Sequence, residues 1–400
     1  MTVHTVKDGE TVFSIARAYG VSPMKLIEYN ELSRPDELSV GEELLILTPT
    51  RTYTVRGGDT LDRISRSFGV KKSKLQAANP ALMGADRLYP GELLAIRYDA
   101  PPYGMAAVNG YVYRDTAEEA LRRALPYLTY VTVSAALTDG GEVRWLFDTK
   151  RTVACIREAG KLPLLRVGED ADIPAPTALR EGWESLCDRL IAAAREHGFG
   201  GITLGLYKTA RRDPALYNEF VVYMRGRMLG CDLILFTEAD ANRPLPLGDY
   251  ADGTVLLYEK ASLSEPPSFR EGEETMMQQY AEQYESSRMF LDLSPFGYEG
   301  STPLTLAEIR RLAYKHRRPI VRDEDTLLCR LRYPHFSAGR REERAIAFES
   351  LENIKAKLHL LDALGYMGVS LDVGRTPVAV FMMVHTLFSD AGYSFIAADG

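Results

Sequence analysis

The sequence predicts an α/β chain in which two small βααβ modules precede a (β/α)8 barrel. Residues 1–97 contain an internal repeat. Beyond them, short strand-like apolar segments alternate with helical patterns, the signal for parallel strands joined by helices. About 300 residues remain for that alternation, a size suited to an eight-fold barrel with insertions.

The repeat is specific. Val6, Gly9, Thr11, Ile15, Gly20, Val21, Leu26 and Asn30 recur 49 positions later as Val55, Gly58, Thr60, Ile64, Gly69, Val70, Leu75 and Asn79. After one inserted residue, Leu38, Gly41 and Leu44 match Leu88, Gly91 and Leu94. Each copy opens on an alternating strand, turns at Asp8-Gly9 or Gly57-Gly58, and enters a helix that Thr11 or Asp59/Thr60 can cap. Gly20 and Gly69 suit the left-handed end of that helix. A second short helix ends near Asn30 or Asn79, and Leu44–Leu47 or Leu93–Ile96 forms the closing strand.

Both copies resemble LysM modules over nearly their whole length. The resemblance implies binding of N-acetylglucosamine polymers such as peptidoglycan or chitin. It places the sugar between two loops of each module. Those loops are Gly9, Glu10, Thr11 and Val12 with Asn30, Glu31 and Leu32, and Gly58, Asp59, Thr60 and Leu61 with Asn79, Pro80, Ala81 and Leu82. The same residue types also simply build turns and caps. The expected division is 1–48 and 50–97 for the modules, 98–105 for a Pro/Gly linker, and 106–400 for the barrel.

Eight barrel strands are expected at Ala106–Val112, Tyr130–Ala135, Leu162–Val167, Ile202–Tyr207, Leu233–Thr237, Thr254–Tyr258, Met289–Leu293 and Gly368–Leu371. Helices are expected at Thr116–Ala124, Thr177–His197, Pro214–Leu229, Glu274–Ser286 and Arg341–Leu364. Between the last two strands, residues from about 300 to 335 read as a small α+β insertion.

The fourth strand resembles that of family 18 glycoside hydrolases, the chitinase-like barrels, which carry D-x-x-D-x-D-x-E there. Aligned on Gly198-Phe199, the four signature positions fall on Gly200, Thr203, Gly205 and Tyr207, none a carboxylate. Strand alternation puts Thr203, Gly205 and Tyr207 on one side. Other parts of the match are better kept. Leu256-Leu257-Tyr258-Glu259 resembles the family's M-x-Y-D stretch, and Ser294–Tyr298 its P-x-Y-G-Y stretch. Met367–Leu371 resembles G-G-I-S-Y, with Asp372 where the family usually has the Trp under the sugar. The resemblance thus implies a barrel pocket of Tyr207, Tyr258, Glu259, Tyr298 and Asp372.

Family 18 enzymes protonate the leaving oxygen with a Glu while the substrate's own acetamide attacks, an exception to the two-carboxylate scheme. A phenol at position 207 is a poor acid, and general acid catalysis is worth roughly 10²–10⁴ in rate. A relocated acid drawn from Glu238, Asp240, Glu259, Glu299 or Asp372 is the alternative. The bland reading makes these loop acids or salt-bridge partners of Arg166, Lys208 and Arg375.

The net charge of −7 argues against nucleic-acid binding. Four separated cysteines form no C-x-x-C, the histidines show no H-E-x-x-H, and no G-x-S-x-G elbow occurs. No cofactor or metal is expected, nor a membrane span or signal peptide. The architecture resembles spore-associated glucosaminidases of endospore-forming bacteria. It implies a protein made in the mother cell and placed in the spore cortex or coat. The expected function is glycan binding with a non-catalytic barrel. An active cortex glycosidase and a self-assembling coat component, pairing with itself or other coat proteins, are the alternatives.

Overall fold

The computed structural model describes residues 1–82, 87–99, 101–138, 142–169, 176–240, 250–257, 270–293, 295–299, 302–337 and 340–391. The first module runs β1 (Thr2–Thr5), α1 (Val12–Tyr19), α2 (Pro23–Tyr29) and β2 (Glu43–Ile46), with the strands antiparallel. The second repeats it as β3 (Arg51–Thr54), α3 (Leu61–Phe68), α4 (Lys72–Ala77) and β4 (Leu93–Arg97). Thr11 and Thr60 cap α1 and α3 by accepting from the Ser14 and Arg63 amides, contacts typically worth ~1 kcal/mol each. Gly20 and Gly69 end those helices at φ of 66° and 63°. Each module closes its own small core: Ile15, Leu26 and Leu44 in one, Ile64, Leu75 and Leu94 in the other.

The chain then enters the barrel. β5 (Met105–Val112), α5 (Glu118–Ala124) and β6 (Tyr130–Thr138) come first, and β7 (Val143–Trp145) folds back on β6. There follow α6 (Lys150–Glu158), β8 (Leu162–Glu169), α7 (Pro176–Glu196), β9 (Gly201–Gly205), α8 (Tyr207–Arg212) and α9 (Pro214–Leu229). Next are β10 (Ile234–Asp240), β11 (Gly253–Leu257), α10 (Thr275–Gln283) and β12 (Met289–Leu293). The insertion comprises the hairpin β13 (Gly297–Glu299) and β14 (Thr302–Leu304), then α11 (Leu306–His316). The antiparallel sheet of β15 (Ile320–Arg322), β16 (Leu328–Ser337) and β17 (Arg340–Glu349) completes it. Finally α12 (Leu351–Ala363), β18 (Gly368–Asp372), α13 (Val378–Leu387) and the short β19 (Ser389–Asp390) return to the barrel.

Eight parallel strands pair in the order β5, β6, β8, β9, β10, β11, β12, β18, and β18 pairs back to β5, closing the barrel. Its lower interior is aromatic: Tyr130 and Phe236 lie 5.1 Å apart and Phe236 and Phe290 5.2 Å apart, edge-on or tilted. The outer faces of the strands pack against the helices in the main core.

Three expectations are corrected. The fourth strand stops at Gly205; the chain turns at the buried Leu206, and Tyr207 opens α8 rather than continuing the strand face. Glu238 and Asp240 belong to β10 instead of following it. The expected helix from Arg341 is a strand to Glu349, and the helix starts only at Leu351, where Ser350 caps it by accepting from the Asn353 amide. The run Arg340–Arg344 is polar in either conformation, so it carried no period. Ile346 and Phe348, both buried at a spacing of two, carry the strand signal. The insertion therefore extends about a strand's length past residue 335.

The modules are docked firmly. Tyr98 donates to the Tyr29 hydroxyl at 2.6 Å, and Tyr127 donates to the Ala77 carbonyl at 2.8 Å. Arg310 of α11 pairs with Glu42 at 2.8 Å and donates to the Asn30 carbonyl at 2.7 Å. Glu43 accepts from the Leu351 amide at the start of α12 and pairs with Arg322.

Candidate functional site

Inward positions above the aromatic floor are polar. Asn109 of β5 donates to Ser370 of β18 at 3.1 Å and accepts from Thr132 of β6 at 2.8 Å. Thr203, one of the signature positions, is buried within hydrogen-bond range of Thr132.

Above this lies the charged centre. Arg166 of β8 reaches across β9 to Glu238 of β10, with Nε on Oε1 at 2.6 Å and Nη2 on Oε2 at 2.7 Å. Tyr111 of β5 adds a third donor to Oε1 at 2.7 Å. Glu238 is 0% exposed and Arg166 16%. Burial alone would push the guanidinium down, but Glu238 outweighs it and holds Arg166 above its ordinary value. Burial, and then Glu238, lifts the Tyr111 phenol well above its usual range.

This pair needs glycines. A Cβ at Gly205 would lie 2.6 Å from Arg166 Nη2 and 2.9 Å from Glu238 Oε2, and one at Gly168 2.9 Å from Arg166 Nη1. An aspartate at position 205 would therefore occupy the space the ion pair now fills. Glu238 reaches the place beside the fourth strand that a relocated acid would need. It is fully buried there, with Oε1 accepting from Arg166 and Tyr111 and Oε2 accepting from Arg166. At Gly200 a Cβ would meet the end of the Leu162 side chain at 2.4 Å.

Two other candidate carboxylates, Asp372 and Glu299, are also engaged. Asp372 pairs with Arg375 at 2.6 Å and accepts from the Gly374 and Arg375 amides, so it organises the loop after β18. Glu299 lies on the insertion hairpin, where Arg344 and then Tyr333 hold its carboxyl below the usual range. Tyr298 is partly buried beside Phe296. Tyr258 and Glu259 lie outside the described residues, as do the side chains of Tyr207, Lys208 and Asp240. Sequence reasoning missed Tyr111 entirely and named Arg166 only as a partner. The two glycines flanking the path of Arg166 were the available signal.

In the modules the candidate residues divide by burial. Asn30 donates to the Leu26 and Leu45 carbonyls and accepts from the Leu45 amide. Asn79 does the same with Leu75 and Ala95, and also accepts from Lys25. These side chains clamp a helix end to a strand and are not free to hold a sugar. Val12, Leu32, Leu61, Pro80 and Leu82 are buried. Gly9, Glu10, Thr11, Gly58, Asp59 and Thr60 remain at the surface. Glu10 accepts from the Lys7 amide and pairs with His4, and both contacts hold its carboxyl below the usual range. Asp59 mirrors it with Tyr53 and the Arg56 amide.

Among the described residues, no group of three or more His, Cys, Asp or Glu side chains is placed to hold a metal ion. No described helix is long and apolar enough to cross a membrane. Cys155, Cys187 and Cys329 are buried free thiols, and Cys231 is partly exposed.

Residues 4–47 and 53–97 each match the model of the LysM domain. No curated protein sequence matches the chain. Among solved structures, the spore cortex-lytic enzyme SleL of Bacillus cereus superposes with a TM-score of 0.76 at 20% identity, covering 98% of this chain and 99% of that one. SleL of Bacillus megaterium gives 0.76 at 18%, covering 97% and 98%. A chitinase from Chromobacterium violaceum gives 0.62 at 18%, covering 70% of this chain and 98% of its own. The chain is thus built of two LysM domains and a (β/α)8 barrel that has the fold of a spore cortex-lytic enzyme and of chitinases.

Proposed function

We propose that this protein binds an N-acetylglucosamine-containing polymer, spore peptidoglycan, through its LysM modules. In this reading the barrel is a non-catalytic scaffold or sugar-recognition domain of the bacterial spore envelope. One observation carries the non-catalytic part: the space at Gly205 is taken by the Arg166–Glu238 pair, whose carboxylate accepts twice from Arg166 and once from Tyr111. The LysM match and the likeness over the whole chain to proteins described as spore cortex-lytic enzymes support the choice of glycan and place. The division into modules at 1–48 and 50–97 and a barrel from 106 belongs to this proposal.

That same likeness favours a second reading, an active cortex glycosidase. The two separate in one experiment. The full chain is incubated with insoluble cortex peptidoglycan, then sedimented, and the supernatant is assayed for new reducing ends. Co-sedimentation without reducing ends is expected. Reducing ends that disappear in Glu238→Gln would overturn the non-catalytic reading, and failure to co-sediment would overturn the binding one.

A further inference from the structure

The two LysM modules do not face solvent independently. Between them, and closed on one side by the barrel, lies a groove of about 610 Å³, within the range of ~300–1,000 Å³ typical of ligand pockets. Its walls include Ile27 and Glu31 of the first module, Pro80 and Ala81 of the second, and Arg123 and Val378 of the barrel. Thus the second candidate loop of each module, the one after α2 and the one after α4, opens onto the same space.

The groove is held by hydrogen bonds and ion pairs. Lys25 donates to Glu28 at 2.6 Å and to Asn79 across the module boundary at 2.9 Å. Glu28 accepts from the Ala81 amide at 2.7 Å. Glu31 sits in the left-handed region at φ of 50°, a conformation costly for a residue with a Cβ. It is kept there by Arg123 of α5 at 2.9 Å and by the Val378 amide at the start of α13, also at 2.9 Å. The barrel therefore fixes the shape of a module's sugar-side loop.

The lining also states what fits. Lys25, Glu28, Glu31 and Arg123 are paired with one another or with amides, and Glu92 accepts from the Tyr89 amide. Among the described residues, each of these lining charges has an ion-pair or amide partner. Met24, 70% exposed, and Leu93 offer apolar contact at the rim. Paired charges, main-chain amides and an apolar rim suit an uncharged, N-acetylated amino-sugar chain with its methyl groups and ring faces.

We infer that the glycan is held in this one composite groove, built by both modules and the barrel, rather than in two separate sites within the modules. The inference rests on the binding reading above. It is tested by calorimetric titration of the full chain with an N-acetylglucosamine hexamer. Two variants block the composite groove at exposed positions outside the candidate loops, Met24→Asp and Leu93→Trp. Two others, Asp8→Trp and Arg56→Trp, crowd the first loop of each module and leave the groove open. One hexamer per chain is expected, with affinity lowered about tenfold or more by either groove variant and unchanged by the loop variants. Two hexamers per chain, or losses confined to Asp8→Trp and Arg56→Trp, would overturn the composite groove while leaving glycan binding intact. No titration by the wild type would overturn the binding reading itself.

Discussion

Replacing Glu238 by Gln probes the centre of the barrel. The change keeps the size of the side chain and one acceptor oxygen but removes the charge that faces Arg166. Arg166 is 16% exposed and has its Nε and Nη2 committed to the two carboxylate oxygens, so water cannot take over. A charge pair at about 4 Å in an effective dielectric of ~20 is worth ~4 kcal/mol. Breaking one side of a buried pair typically costs ~3–5 kcal/mol. At roughly 2–4 °C of melting temperature per kcal/mol, Glu238→Gln is expected to melt roughly 6–20 °C below wild type. Near-ultraviolet circular dichroism on heating measures it. The triple variant Arg166→Met/Glu238→Leu/Tyr111→Phe removes all three partners together and should regain most of the loss. A Glu238→Gln protein that melts with the wild type would refute the argument that this pair is what fills the barrel mouth.

Further outcomes follow from the same geometry. Gly205→Asp drives its Cβ into Arg166 and Glu238 and should cost about 1–3 kcal/mol in denaturant unfolding. If Gly205→Asp is as stable as wild type, the space is not filled as described. Asn79→Ala strands buried backbone groups of Leu75 and Ala95 and one partner of Lys25, at about 2–4 kcal/mol, read as a lower melting temperature. Unchanged melting with lost glycan affinity would instead make Asn79 a sugar ligand. His385 of α13 lies against the Tyr127 ring; burial pushes its imidazole down to about 4, aided by Lys74 and Lys161 and opposed by Asp390. Its folded value is below the ordinary one, so the unfolded chain takes up the proton first. Stability from His385 is full above about pH 6.5 and falls as the pH drops towards 4. His385→Phe should flatten that limb in melts across the range; an unchanged slope would contradict it.

The sequence by itself determined the repeat, the two module folds and the eight barrel strands to within a few residues. These are written in short-range terms: capping threonines at 11 and 60, left-handed glycines at 20 and 69, and apolar runs of strand length. It also determined that no signature carboxylate stands on the fourth strand. It did not settle the conformation of Arg340–Arg344, because charged residues are exposed in a helix and in an edge-facing strand alike. Only the tertiary structure decided what occupies the space beside Gly205. Arg166, Glu238 and Tyr111 are far apart in the chain and meet because closure brings β5, β8 and β10 round one axis, with Gly168 and Gly205 leaving the room. The groove between the modules has the same origin. Glu31, Ala81, Arg123 and Val378 share no local pattern, and packing of the two modules against the barrel is what sets them around one space.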